Sequence, residues 1–198
     1  MSKKLRKEPI YIAPKILGWL DENDRPIILD EKVKRYLNAT NIDDKIIVYK
    51  RQVEEWFLKP STALLKKSNS GFIVLMTCFS YLEGVEQYRT GRTSRSNSSQ
   101  FFIKAIERIY PSKYNDGELN DLYAEARCGL FHNGMVKGKV IINNSFLEPL
   151  EFCPSLSLIK INPQIFLEDI QNDFKTYIKS LKEDAEYRTN FNRMYSNI

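Results

Sequence analysis

The chain has 198 residues, with 30 Lys and Arg against 25 Asp and Glu, for a formal net charge of +5. Hydrophobic residues make up 42% and charged residues 28%, which excludes disorder as the main state, and the eight Gly and eight Pro exclude a collagen-like or Pro-rich filament. No uncharged apolar stretch reaches the roughly 18 residues of a membrane span, and the mild positive excess permits a polyanionic partner without demanding one.

In chain order, the first thirty residues read as irregular. Pro9, Pro14 and Pro26, with Asp21-Glu22-Asn23-Asp24, punctuate short apolar pieces such as Ile16-Leu17-Gly18-Trp19. A short helix is predicted over Asp30–Leu37 and a longer one over Asp43–Leu58, bounded by Pro60. The next helix, Gly71–Gln87, is apolar nearly all round and therefore reads as central, packed on several sides. Glu83 stands near its end as a last-turn carboxylate.

Arg89–Gln100 reads RTGRTSRSNSSQ, a basic loop that brings Arg89, Arg92 and Arg95 forward as phosphate contacts or, equally, as a solvated linker. Ser98 or Ser99 caps a helix that runs to Tyr110, before Pro111. Asn115 or Asp116 caps one helix that ends at Asn133-Gly134, and Glu118 three residues after Asn115 is placed as in a capping box. Leu119, Leu122, Tyr123, Ala126 and Leu130 form its core stripe. Lys139–Asn143, Leu150–Cys153 and Ser155–Ile161 read as a small antiparallel sheet. Asn162-Pro163 opens an amphipathic helix of about five turns, and a polar tail closes the chain.

Cys78, Cys128 and Cys153 make no C-x-x-C pair, and His132 is the single histidine, so zinc-ribbon, thioredoxin-like and multi-histidine metal sites are excluded. Widely spaced cysteines, with no apolar run of signal-peptide length after Lys3, Lys4, Arg6 and Lys7, lead to the expectation of a cytoplasmic protein without a membrane partner. Arg127-Cys128-Gly129-Leu130-Phe131-His132 is an R-x4-H motif near a helix end. Five positions on a continuous α-helix turn the chain through about 140°, so Arg127 and His132 share a face only if the helix ends or bulges. Gly129 inside a helix costs about 1 kcal/mol relative to Ala, which leads to the expectation that the Gly129 region packs near its mate in a two-fold dimer, or else that it begins the fraying before Asn133-Gly134.

The order of a central apolar helix, a basic loop, a further helix and a helix ending in R-x4-H resembles the HEPN superfamily over about residues 65–185. Arg127 matches the family's Arg and His132 its His, whereas Cys128 stands where a polar residue is usual. The resemblance implies a mainly α-helical bundle with a small β-hairpin annex, and a metal-independent endoribonuclease in a defence or toxin–antitoxin setting. It also implies RNA as substrate, a homodimer that pairs the motif helices around one cleft, an antitoxin or regulatory protein as partner, and no cofactor or metal. Arg127 and His132 are then catalytic, Arg89, Arg92 and Arg95 bind RNA, and Glu83, Cys128 and Asn133 support the site. Residues 1–64 form an N-terminal helical extension, residues 65–185 the HEPN-like domain and residues 186–198 a polar tail.

The chemistry agrees with this reading. Without a metal, the ribose 2′-OH must lose a proton as it attacks the adjacent phosphate, and an imidazole can take or give that proton. A guanidinium binds the phosphoryl oxygens in fork geometry and stabilises their growing charge. Other readings use the same residues. His132 can serve the last carbonyls of its helix, and Arg127 can pair with Asp121, Glu125 or a neighbouring helix. Cys128 and His132, at i and i+4, can make a thiolate pair oriented by Glu125 or Asp121. Glu83, Glu125 and Asp121 can hold Mg²⁺. Some members of the superfamily are binding modules without activity.

Overall fold

The computed structural model describes residues 5–195. Lys3 and Lys4 of the basic start, and the last three residues of the expected tail, lie outside the described residues. The chain divides into two compact units. The first takes the residues up to Pro60, Tyr88–Arg92 and those from Tyr177 on; the second takes Ser61–Gln87 and Thr93–Thr176.

The first unit opens with a sheet, not with irregular chain. Strands β1 (Ile10–Ala13), β2 (Ile16–Leu20), β3 (Pro26–Asp30) and β4 (Arg35–Leu37) form a fully antiparallel meander in the order β1-β2-β3-β4. Ile12, Ile16, Ile28 and Leu37 are buried on one side, while Leu17, Trp19, Ile27 and Leu29 alternate with them and stay half-buried. Prolines and charges break the alternation in the sequence, and those breaks are the turns themselves, taken by Lys15, Asp24 and Lys34 at φ 59, 58 and 51. Three left-handed turn positions without glycine carry little turn signal. The helix expected over Asp30–Leu37 is instead the end of β3, a turn and β4.

Helix α1 (Ile42–Val53) starts at Asn41, whose side chain accepts from the N–H groups of Asp43 and Asp44. It continues through a π-helical turn, Glu54–Leu58, into α2 (Lys59–Leu64). Pro60 does not end it, because the wider turn, closed by the Lys59 N–H on the Glu54 carbonyl, lets the helix pass a residue with no N–H to give. Arg51 reaches Asp30 with two hydrogen bonds, 2.7 and 2.8 Å, so α1 is pinned to the last residue of β3. Gln52 adds a 2.6 Å bond to the Ile12 carbonyl. The C-terminal helix α8 (Ala185–Met194), where a polar tail is expected, is capped by Asp184 and brings Phe191 into a ring cluster with Tyr49, Tyr88 and Tyr195.

The second unit centres on the first seventeen residues of α3 (Gly71–Thr90). Val74, Leu75, Cys78, Phe79, Leu82 and Val85 are all buried there, as expected of a helix apolar on several sides. Phe79 meets Phe102 of α4 (Ser98–Ile109) and Phe166 of α7 (Pro163–Glu183) edge to face, at 5.4 and 5.9 Å between ring centres. The expected capping box forms: Asn115 and Glu118 exchange hydrogen bonds of 3.0 and 2.9 Å at the start of α5 (Asp116–Asp121).

A second sheet joins β5 (Val140–Ile142), β6 (Leu150–Cys153) and β7 (Leu158–Ile161) in the order β5-β7-β6. It is mixed, not antiparallel: β7 runs parallel to β5 and antiparallel to β6. The strand with two buried isoleucines, Ile159 and Ile161, takes the centre. Asn162, buried at the junction, donates to the carbonyls of Asn144 and Phe146 and accepts from Gln164 and Ile165 as the cap of α7.

With a four-stranded and a three-stranded sheet beside its helices, the protein is mixed α/β, which corrects the mainly α-helical bundle expected from the sequence. The three strands of the second sheet are expected from the sequence; those of the first, three to five residues long with turns that lack glycine, are not. Among the described residues, no helix is long and apolar enough to cross a membrane.

The Asp30–Arg51 pair makes stability depend on pH. Burial pushes the Asp30 carboxyl up, but the hydrogen bonds and charge of Arg51, with the N–H groups of Lys32 and Val33, outweigh it and hold the carboxyl below its ordinary value. A lowered folded-state pKa stabilises fully above the unfolded value of about 3.9 and is lost as pH falls through the folded value. In thermal melts, the advantage of the wild type over Asp30→Asn is therefore expected to shrink as pH falls from about 5 toward 2. An advantage constant over that range would show that the ion pair contributes no pH dependence.

Candidate active site

The motif helix is not a single α-helix. After α5 comes a π-helical stretch, Leu122–Arg127, and then α6 (Cys128–Asn133), which Gly134 stops in the left-handed region at φ 69. The Cys128 N–H bonds back five residues to the Tyr123 carbonyl. Of the expected core stripe, Leu119, Leu122, Ala126 and Leu130 are buried, whereas Tyr123 is half-buried. Such inserted turns occur often at functional sites, because they re-aim the side chains that follow.

Arg127 leaves this stretch toward α3 and meets Glu83 in a fork, Nε to Oε1 at 2.5 Å and Nη2 to Oε2 at 3.0 Å. Both side chains are largely covered, at 16% and 13% exposure. Burial works against the charged guanidinium, but the hydrogen bonds and charge of Glu83 outweigh it and hold its pKa above the ordinary value. Phe131 and Tyr123, four residues either side, put their rings 4.8 and 5.3 Å from the guanidinium carbon. Tyr123 is itself fixed, its hydroxyl 2.6 Å from the Ser98 hydroxyl and its ring against Phe102. Among the described residues, Nη1 of Arg127 makes no hydrogen bond.

The other residues singled out in the sequence fall in different places. His132 is exposed near the end of α6 and, among the described residues, has no hydrogen-bond or ionic partner. Asn133 is exposed beside it, and Cys128 is half-buried, with no hydrogen bond joining it to His132 among the described residues. Arg95 is exposed in a 3-10 turn, Arg95–Asn97, of the second unit, and Arg92 is exposed in the first. Arg89 is not a surface residue. It is 8% exposed, with its guanidinium 4.5 Å from the centre of the Tyr177 ring and 5.5 Å from that of Tyr187. A loop composition that reads as basic and solvated begins on a helix end, and that end is covered by aromatic rings. Arg89 is thereby removed from the RNA-binding set.

Glu83 is engaged by Arg127 and Glu125 faces Lys137 at 3.9 Å. Among the described residues, no three His, Cys, Asp or Glu side chains gather as a metal site would require, so the Glu83, Glu125 and Asp121 grouping does not form. The sequence reading named no role for Tyr123 and Phe131 beside the arginine. The signal was present in their i±4 spacing from Arg127.

Gly129 receives a different explanation from the one expected. After Gly134 the chain doubles back, and Lys137 donates to the Glu125 carbonyl at 3.0 Å. A Cβ on Gly129 would lie 2.8 Å from the Met135 carbonyl oxygen and 3.1 Å from the Lys137 nitrogen. The backbone that passes close is the chain's own, so Gly129 does not call for a second copy. The chain matches no protein-family model, no curated protein and no solved structure.

Gly129→Ala therefore sets a helix-propensity gain of about 1 kcal/mol against overpacking on backbone atoms, typically 1–3 kcal/mol. The clash is with main chain, which cannot rotate away, so the expected outcome is a fall of several degrees in the melting temperature. An unchanged or higher melting temperature would show that the returning segment does not need the bare glycine.

Proposed function

We propose that this chain is a metal-independent endoribonuclease of the HEPN type, with Arg127 and His132 as its catalytic residues. The observation that carries the reading is the state of the two motif side chains. The guanidinium is held by Glu83 and ringed by Tyr123 and Phe131, and the histidine five residues on stands exposed without a partner. His132 takes the proton of the attacking 2′-OH or gives one to the departing 5′-oxygen. Arg127 binds the phosphoryl oxygens as charge builds on them. Glu83 and the two rings act as positioning residues that fix the direction of the guanidinium. One Arg and one His supply half of a full acid–base set, so two copies sharing a cleft complete it. Cys128 takes no chemical part, since it has neither a bond to His132 nor an oxyanion-binding loop at mid-helix.

The fork to Glu83 favours a second reading. An arginine with two donors already engaged serves the packing of α3 on the motif helix, and a binding module without activity needs nothing more.

Incubation of the purified protein with RNA in excess EDTA separates the two. Cleavage is expected to persist in the chelator and to fall by about 10²-fold or more in His132→Ala, with an unchanged melting temperature because the side chain is exposed. Arg127→Lys is expected to lose activity while keeping a charge opposite Glu83, which distinguishes loss of the fork from loss of the fold. Full activity in His132→Ala would overturn the assignment, and intact RNA under every condition would favour the binding module.

A further inference from the structure

The four-stranded sheet of the first unit has an outer face that neither the fold nor the motif uses. Its register lines up Tyr11, Leu17, Leu29 and Tyr36 in one row across all four strands, with Trp19 opposite Ile27 in the next row. The two tyrosines end the row on the edge strands, 47% and 67% exposed, while Leu17 and Leu29 between them are half-buried. Three strand spacings separate them, about 14 Å. Charge is divided along the strands. The β1–β2 and β3–β4 turns lie at the same end, next to the tyrosine row, and carry Lys15, Lys32 and Lys34 with Glu31. The opposite end is the β2–β3 turn, where Asp21, Glu22 and Asp24 are matched by Arg25 and by Lys7, 3.9 Å from Asp24. Lys15 and Lys34 are exposed and have no ionic partner among the described residues, whereas Lys32 lies 3.9 Å from Glu55. Glu31 is used locally, accepting from the Tyr11 hydroxyl at 3.1 Å.

We propose that this face binds single-stranded RNA, with bases stacked on Tyr11 and Tyr36 and the phosphate backbone along the Lys15 and Lys34 end. Exposed aromatic rings on an antiparallel sheet stack unpaired bases of any sequence, and flanking cations hold the backbone. Lys15 and Lys34, exposed beside the rings and without ionic partners among the described residues, favour a polyanion on this face over a protein partner or a second copy. The choice of RNA rests on the ribonuclease reading; the stacking surface itself does not.

The test uses the full chain carrying His132→Ala, so that the probe is not consumed, and a labelled oligouridine of about 12 nucleotides, within the span of known single-strand sites. Fluorescence anisotropy is expected to show binding that weakens roughly 10-fold in Tyr36→Ala and again in Tyr11→Ala, with Tyr36→Phe close to the parent. Lys15→Ala and Lys34→Ala are each expected to reduce the slope of log affinity against log salt by about 0.7. Circular dichroism melts confirm that these exposed substitutions leave the fold intact. No binding by the parent, or equal binding by the double alanine variant, overturns the proposal. So does light scattering that finds a dimer split by the tyrosine substitutions, which would make the face an interface between copies. A wild-type protein that binds through the tyrosines yet cleaves nothing in EDTA would refute the ribonuclease reading and leave this surface standing.

Discussion

A guanidinium that is mostly out of water needs an opposite charge within reach, and Glu83 provides it to Arg127. This one requirement orders much of the second unit. It explains why the most apolar helix of the chain carries a carboxylate near its end, and why the motif helix approaches α3 where it does. Removing either partner would leave a covered charge alone, so the pair must form together. The rings of Tyr123 and Phe131 close around it from the same helix, and Ser98 fixes Tyr123 from the start of α4. A small polar cluster of this kind sets direction, and hydrophobic burial around Phe79 supplies the attraction that brings the helices together.

The same pair bears on chemistry. Two of the donors that would grip a phosphate are occupied by Glu83, and Nη1 makes no hydrogen bond among the described residues. A positioned arginine loses little freedom when it meets an anion, which suits stabilisation of a transient charge. His132 is free where Arg127 is fixed. Its position at the end of α6, just before Gly134 turns the chain back, leaves the imidazole outside the packed stripe. The return of Met135–Lys137 over Gly129 secures the last turn of this helix against the protein itself.

The first unit has a parallel logic. Asp30 ends β3 pointing inward, and Arg51 answers it from α1, so the sheet presents its inner side to the helix and its outer side to solvent. A short meander has few residues per strand to bury, and it keeps its inner isoleucines covered by being pinned at one point. What is left outside is a row that ends in two tyrosines, beside a basic edge.

Much of this was legible in the amino-acid sequence by itself. The long apolar helix, the Asn115–Glu118 capping box, the stop at Gly134 and the cap and proline that open α7 depend on neighbours within a few residues, and local chemistry decides them. The R-x4-H spacing was legible for the same reason. The four-stranded sheet was not, because Lys15, Asp24 and Lys34 turn the chain without the glycine that marks such positions. Nor was the fate of Arg89 or Glu83. Whether an arginine lies under two rings or on the surface, and whether a carboxylate meets water or a guanidinium, is settled by residues up to a hundred positions away. The role of Gly129 shows the division most sharply. From the sequence by itself, a helical glycine points to a second copy packing close, or to fraying at the helix end. Only the tertiary structure decided that the backbone passing close is the chain's own, because the direction taken after a left-handed turn depends on where Lys137 finds an acceptor.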